Sequence, residues 1–185
     1  MMMQRNRYIL LTASSTLLNR IMIQIKQISK DEAFIINQLA REIWPEAFKE
    51  ILSPEQIEYM LDWMYDVNTL EDQARIGHLF FIVTKDGIPE GFLGLEPNYP
   101  DAGTLRIHKL YVKPNKHNSG LGKALLVKAE EIANRLEFDT INLNVNRFNK
   151  AVGFYKHLGF KTVKEEDIDI GRGYLMEDFV MVKKC

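Results

Sequence analysis

At 185 residues the chain has room for one ordinary domain and too little for two full-sized ones. Hydrophobic residues make up 46% and charged residues 26%, the mix of a self-sufficient globular core rather than a disordered or fibrous chain. Lys plus Arg (24) nearly balances Asp plus Glu (25), so no global field favours a polyanion and nucleic acid is not expected as a partner.

The single cysteine, Cys185, excludes an intrachain disulfide and any C-x-x-C site, which fits a reducing, cytoplasmic setting. The histidines, His78, His108, His117 and His157, show no H-x-x-x-H spacing, so no metal site is expected. No apolar run approaches the ~20 residues that cross a bilayer, and no membrane partner is expected. Residues 1–21 faintly resemble the start of a signal peptide, but the run Tyr8-Ile9-Leu10-Leu11 is short and broken by Thr12, Ser14 and Ser15. They read instead as an N-terminal extension, disordered or left by an alternative start, ahead of one domain over 22–185.

From Met22 a strand rhythm runs through Ile25 to Ile28, and Ser29-Lys30-Asp31-Glu32 reads as a helix start. Ala33, Phe34, Ile36, Leu39, Ala40 and Ile43 recur at helical spacing. Ser53 as N-cap and Pro54 in the first turn open a second helix with Ile57, Met60, Leu61 and Met64 on its apolar face. Three strands are predicted next, Leu79–Thr84, Phe92–Leu95 and Thr104–Val112, with Lys85-Asp86-Gly87 turning a hairpin between the first two. In the third, Leu105 and Ile107 keep one alternation phase and Leu110 and Val112 the other. That slip points to a β-bulge or to a strand covered on both faces.

Gly120–Glu137 reads as a long amphipathic helix, Thr140–Val145 as a strand, and Lys150–Leu158 as a helix ended by Gly159. Phe160–Val163 and Phe179–Val182 complete the order β-α-α-β-β-β-α-β-α-β-β. This predicts a mixed sheet with helices on both faces, in the α/β (α+β) class.

The segment from Leu110 to Lys123 carries the chemistry: a strand runs through a polar, glycine-containing loop into a helix. Unpaired N–H groups at the helix start, two glycines and Lys123 make an anion site. A P-loop is excluded, because it needs glycine at His117 and Ser or Thr at Ala124; a dinucleotide fingerprint needs a small residue at Leu125. Taken alone, G-x-G at a helix start also occurs without any ligand.

With Leu110, Val112, Pro114, Gly120 and Gly122 in place, the segment resembles the signature of the GNAT superfamily of acyl-CoA-dependent N-acetyltransferases. That signature is L-x-V-x-P followed by Q/R-x-x-G-x-G/A, and His117 stands where Gln or Arg is usual. The run Asn146 to Phe160 resembles the family's N-x-x-N-x-A-x-x-F-Y-x-x-x-G-F segment.

The resemblance implies the GNAT acyl-CoA N-acyltransferase fold, its sheet splayed at the bulged strand, with acetyl-CoA as donor. It assigns main-chain contacts to Leu110, Tyr111 and Val112, diphosphate contacts to His117, Asn118, Ser119, Gly120, Leu121, Gly122 and Lys123, and a further contact to Asn149. Tyr155 matches the family's general acid. Glu96, at a strand end, is the candidate base, with His108 on the neighbouring strand as a second; a packing role for Tyr155 and a solvated Glu96 are the bland readings.

Ala47 to Glu50, Ser53 to Glu55 and Asp169 to Asp178 resemble PaiA-type polyamine acetyltransferases. Glu46, Glu50, Glu58, Asp62, Asp66, Asp167, Asp169, Glu177 and Asp178 would then offer anionic walls to a small-molecule amine such as spermidine or spermine. The alternative class is a catalytically silent acyl-CoA-binding or regulatory protein on the same fold. A homodimer remains open.

Overall fold

The computed structural model describes residues 22–114 and 119–185. The predicted extension at 1–21, and His117 and Asn118, lie outside these. Strand β1 (Ile23–Gln27) leads through one 3-10 turn into α1 (Ala33–Phe48), followed by α2 (Pro54–Met64) and α3 (Val67–Arg75). Strands β2 (Leu79–Lys85), β3 (Ile88–Pro97) and β4 (Thr104–Val112) follow, then α4 (Leu121–Arg135), β5 (Thr140–Asn146), α5 (Ala151–His157), β6 (Lys161–Asp169) and β7 (Leu175–Lys184).

The seven strands form one sheet in the order β1-β2-β3-β4-β5-β7-β6, antiparallel except for β4 against β5. One apolar cluster, with Leu95, Leu105, Leu125 and Ile141, lies under α4 and α5. A second, with Trp44, Leu61, Leu70 and Phe92, lies under α1, α2 and α3. Helices therefore cover both faces, as the element order predicted. The Asp86-Gly87 turn has φ of 52° and 82°, the pair of positive values that a tight hairpin needs.

Three expectations are corrected. Helix α3 is absent from the predicted order, because only Leu70 of its nine residues is buried and the rest carry no apolar stripe. Phe34, placed on the apolar face of α1, is 47% exposed. Strands β6 and β7 extend well beyond the predicted four residues each; the extra length of β6, an edge strand, is mostly charged and exposed, so no alternation marks it.

The slipped phase of β4 is a bulge. Gly94 pairs with Lys109 and Leu95 with Ile107, leaving His108 as the extra residue. Beyond it Leu110 and Val112 return to the cluster that holds Leu105 and Ile107. The parallel ladder runs from Thr104↔Thr140 to Ile107↔Leu143, where it ends, although β4 continues to Val112 on β3 and β5 continues to Asn146. The two strands part at the bulge.

Beyond the bulge Gly91 lets β4 lie close against β3. A Cβ there would lie 2.5 Å from the Tyr111 carbonyl oxygen and 3.1 Å from Val112 Cα. Gly91→Ala is expected to cost ~3 kcal/mol, the upper end of ordinary overpacking, and so to lower Tm by about 6–12 °C for a domain of this size. Scanning calorimetry checks this; an unchanged Tm would mean the β3–β4 pair yields freely.

Candidate active site

The parting of β4 and β5 leaves an opening between the Leu110–Val112 segment and α5. On one side Tyr155, 7% exposed, packs against Phe154 and Phe160 at ring separations of 5.3 and 5.6 Å. On the other, the Tyr111 ring is fixed by Trp44 at 5.6 Å and Phe92 at 5.5 Å. The two belong to clusters on opposite faces, yet burial first and then Tyr111 raise the Tyr155 phenol above its usual range. Tyr111 is raised by burial too, opposed by the neighbouring Tyr65 and reinforced by Asp178.

The opening leads to the start of α4. Gly120 is its N-cap in a left-handed conformation (φ 82°), and a Cβ there would meet nothing within 4 Å, so the backbone is open to a ligand. Leu121 is fully buried and anchors the first turn, while Ser119 and Lys123 face outward. Gly122 packs near the Phe154 ring, 3.6 Å from its ideal Cβ. Asn149 sits at the head of α5, its Oδ1 accepting the Ala151 N–H at 2.8 Å.

On the face beneath α3, strand register gathers groups distant in sequence. Glu96 Oε2 lies 2.7 Å from His108 Nε2. An ionised carboxylate only accepts, so the ring donates from Nε2. His78, just before β2, brings its Nε2 to 3.6 Å from Glu96 Oε1, and its ring stacks on His108 at 5.2 Å. Burial, then Lys109 and Arg106, pull His108 down to about 3, and burial lowers His78 to about 4, against the opposing pull of Glu96. Both rings are neutral at physiological pH.

The two base candidates are therefore one hydrogen-bonded unit. Lys109, 3% exposed, donates to Gln73 of α3 at 3.2 Å and lies 5.2 Å from the Tyr65 ring centre. Burial pulls its amine down to about 8. Gly94 leaves room for it: a Cβ there would come within 3.2 Å of Lys109 Cδ and 3.0 Å of the Phe80 ring. Sequence reasoning missed Lys109, although a lysine inside the apolar alternation of β4 is a readable signal. It also missed His78 as a neighbour of Glu96, for which only strand register is the signal.

The proposed anionic walls divide. Arg41 binds Glu58 at 3.0 Å and Asp62 at 2.6 Å, Lys150 approaches Glu50 at 3.8 Å, and Arg147 holds Glu165, Asp167 and Glu177. Asp66 caps α3 and Asp169 accepts the Gly171 N–H. Asp178 differs, being 8% exposed, with burial raising its pKa against the pull of Asn144, Arg106 and Arg147. It stands at the Asn146↔Asp178 pair, where β5 ends.

Residues 36–160 match the family model described as the acetyltransferase (GNAT) family. The chain belongs to that family, and it is an N-acetyltransferase. Over 168 residues it is 31% identical to a spermidine N(1)-acetyltransferase of Thermoplasma acidophilum, covering 88% of this chain and 97% of that one. A peptidyl-lysine N-acetyltransferase of Salmonella typhimurium is 35% identical over 98 residues, covering 52% and 59%. Among solved structures, the PaiA N-acetyltransferase of Thermoplasma acidophilum in complex with coenzyme A superposes with a TM-score of 0.74 at 29% identity, covering 89% of this chain and 99% of that one. The ribosomal-protein-S18-alanine N-acetyltransferase of Escherichia coli, at 18% identity and TM-score 0.67 over 88% and 94%, shares the fold. Among the described residues no helix is long and apolar enough to cross a membrane.

Proposed function

We propose that this acetyltransferase moves acetyl from acetyl-CoA to a primary amine by direct attack, with a polyamine such as spermidine or spermine as acceptor. The observation that carries the reading is the β4–β5 ladder ending at the His108 bulge, which opens a slot leading to the unprotected backbone of Gly120. Acetyl-CoA fits these residues: free edge groups of Leu110–Val112 suit an amide-bearing arm, and the first N–H groups of α4 with Lys123 suit a diphosphate. Acetyl-CoA supplies an acyl group already activated as a thioester.

The protein's own groups do the rest. Glu96, oriented by the His108 N–H, accepts the proton that the amine must lose to become a nucleophile. Tyr155, kept protonated by burial, donates to the sulfur as it departs. Asp178, buried near Tyr111, is the counter-charge for an ammonium at the acceptor end. The kinship with a spermidine acetyltransferase supports a polyamine. So does the open cavity of about 530 Å³ lined by Glu55, Glu58, Tyr59, Asp62, Trp63 and Arg172: its three carboxylates outnumber Arg41, which holds Glu58 and Asp62, and Arg172, which lies 4.7 Å over the Tyr59 ring, leaving a wall of net negative charge for a second cationic group.

The test is thiol release from acetyl-CoA with spermidine, spermine, a lysine peptide and a neutral amino sugar. Spermidine or spermine should be preferred, and their KM should rise with salt, because the exposed carboxylates of the cavity act through a field screened over ~8 Å at physiological ionic strength. Inert polyamines beside an acetylated peptide or sugar would overturn the acceptor and leave the acetyltransferase standing. Binding of acetyl-CoA without thiol release for any amine would favour the silent class.

A further inference from the structure

His78, Glu96 and His108 each offer one ligand atom, and the three atoms lie within 4.8 Å of one another. The grouping is tertiary. Leu79 pairs with Leu95 and Leu95 with Ile107, so the residue before β2, the end of β3 and the bulge residue of β4 arrive side by side. We propose that this triad is a binding site for a divalent transition-metal ion of the zinc type, held by one nitrogen of each imidazole and the Glu96 carboxylate, and that the ion switches the enzyme off by occupying that carboxylate.

The distances suit small adjustments. A zinc ion sits ~2.0–2.1 Å from imidazole nitrogen and ~2.0–2.2 Å from carboxylate oxygen, which places ligand atoms roughly 3.0–3.5 Å apart. At present Glu96 Oε2 lies 2.7 Å from His108 and Oε1 3.6 Å from His78, and the three ligand atoms lie within 4.8 Å of one another, so closing onto one ion needs side-chain shifts of about an ångström. Ligation moves the His108 ring proton from Nε2 to Nδ1, so the ring stays neutral and no proton is lost.

His78 supplies the independent sign of an unmet partner. Its side chain is 8% exposed, yet its Nδ1 is buried without a hydrogen bond. A buried ring nitrogen left this way is costly, and a half-turn of the ring exchanges it with the nitrogen facing Glu96. His108 follows Ile107 in phase onto this face, and the bulge brings Lys109 to the same face beside it.

The surroundings select the ion. Arg106 and Lys109 act on the histidines, and one carboxylate cannot offset both cations and attract a hard ion through charge alone. Magnesium and calcium, which take oxygen ligands, are excluded on those grounds, whereas two imidazoles favour zinc, cobalt or nickel. Three protein ligands leave a coordination position for water.

The experiment uses a Cys185→Ser parent, since the exposed thiol of Cys185 is itself a zinc ligand. Zinc is titrated calorimetrically and cobalt by visible absorption, both without acetyl-CoA, with magnesium as control. One equivalent of zinc and of cobalt should bind and magnesium should not. His78→Phe keeps the ring stacked between His108 and Phe80 while removing the nitrogen, and should weaken zinc about tenfold or more. Its turnover without metal should stay within about threefold of the parent, with zinc inhibition lost in proportion. His78→Gln serves the same comparison should the Phe variant fold poorly. Absence of zinc binding by the parent, or equal affinity in the His78 variants, overturns the site. Equal inhibition of parent and variants overturns the switch, which rests on Glu96 as proton acceptor; the binding titration decides the site even if no acceptor amine is found.

Discussion

Tyr155→Phe is expected to lower turnover by roughly 10²–10⁴ while leaving acetyl-CoA affinity and thermal stability near those of the parent, the range for losing one general acid. The ring stays: Phe keeps the packing against Phe154 and Phe160 that places residue 155 in the core. Only the hydroxyl goes. Burial and the nearby Tyr111 hold that phenol protonated at every pH at which the protein would be assayed. A phenol raised this far would be a poor donor to a thiolate in water, where a thiol has a pKa of ~8.5. Inside the slot the departing sulfur is desolvated as well, and its proton affinity rises with that of the phenol. What matters is the difference between the two, so the loss should appear in kcat with little change in KM for the amine. Turnover within about threefold of the parent, with chemistry shown to be rate-limiting, would return Tyr155 to a packing role.

The parts of this molecule legible in its sequence are those written into short stretches of chain. The change of alternation phase across His108 is a local property of nine residues; it left a bulge or a strand covered on both faces as readings, and the structure has the bulge, at the point where β4 also leaves β5. Gly120 next to Leu121 marked a helix start because a left-handed cap followed by a buried anchor needs those two side chains in that order. Helix α3 was invisible for the opposite reason. It buries one leucine, and its contribution is polar, with Gln73 accepting from the buried Lys109 amine. The carboxylates misled because their cations lie elsewhere in the chain: Arg41 on α1 meets Glu58 and Asp62 on α2, and Arg147 reaches across to the β6–β7 ribbon. Glu96 and His108, which the sequence offers as competing bases, turn out to be hydrogen-bonded to each other, a relation that only the register of two strands creates.

Glu96→Gln is expected to lower kcat/KM for the amine by about 10² or more near neutral pH, and the loss should shrink as pH rises. The carboxamide matches the carboxylate in size and its oxygen still accepts the His108 N–H, so stability should change by less than about 1 kcal/mol. What it cannot do is take a proton. A primary alkylamine has a pKa of ~10.4, so near pH 7.4 only about one molecule in a thousand is free base. The parent deprotonates the bound ammonium at Glu96, whereas the variant must wait for amine that solvent has already deprotonated. The free-base fraction grows about tenfold for each pH unit below ~10, so the variant's log rate should climb with a slope near one, and the gap to the parent should close as that pH is approached. A loss of the same size at every pH would mean that Glu96 holds the amine by charge rather than accepting its proton, and Asp178, the buried carboxylate whose charge reaches Tyr111, would then be the group to neutralise next.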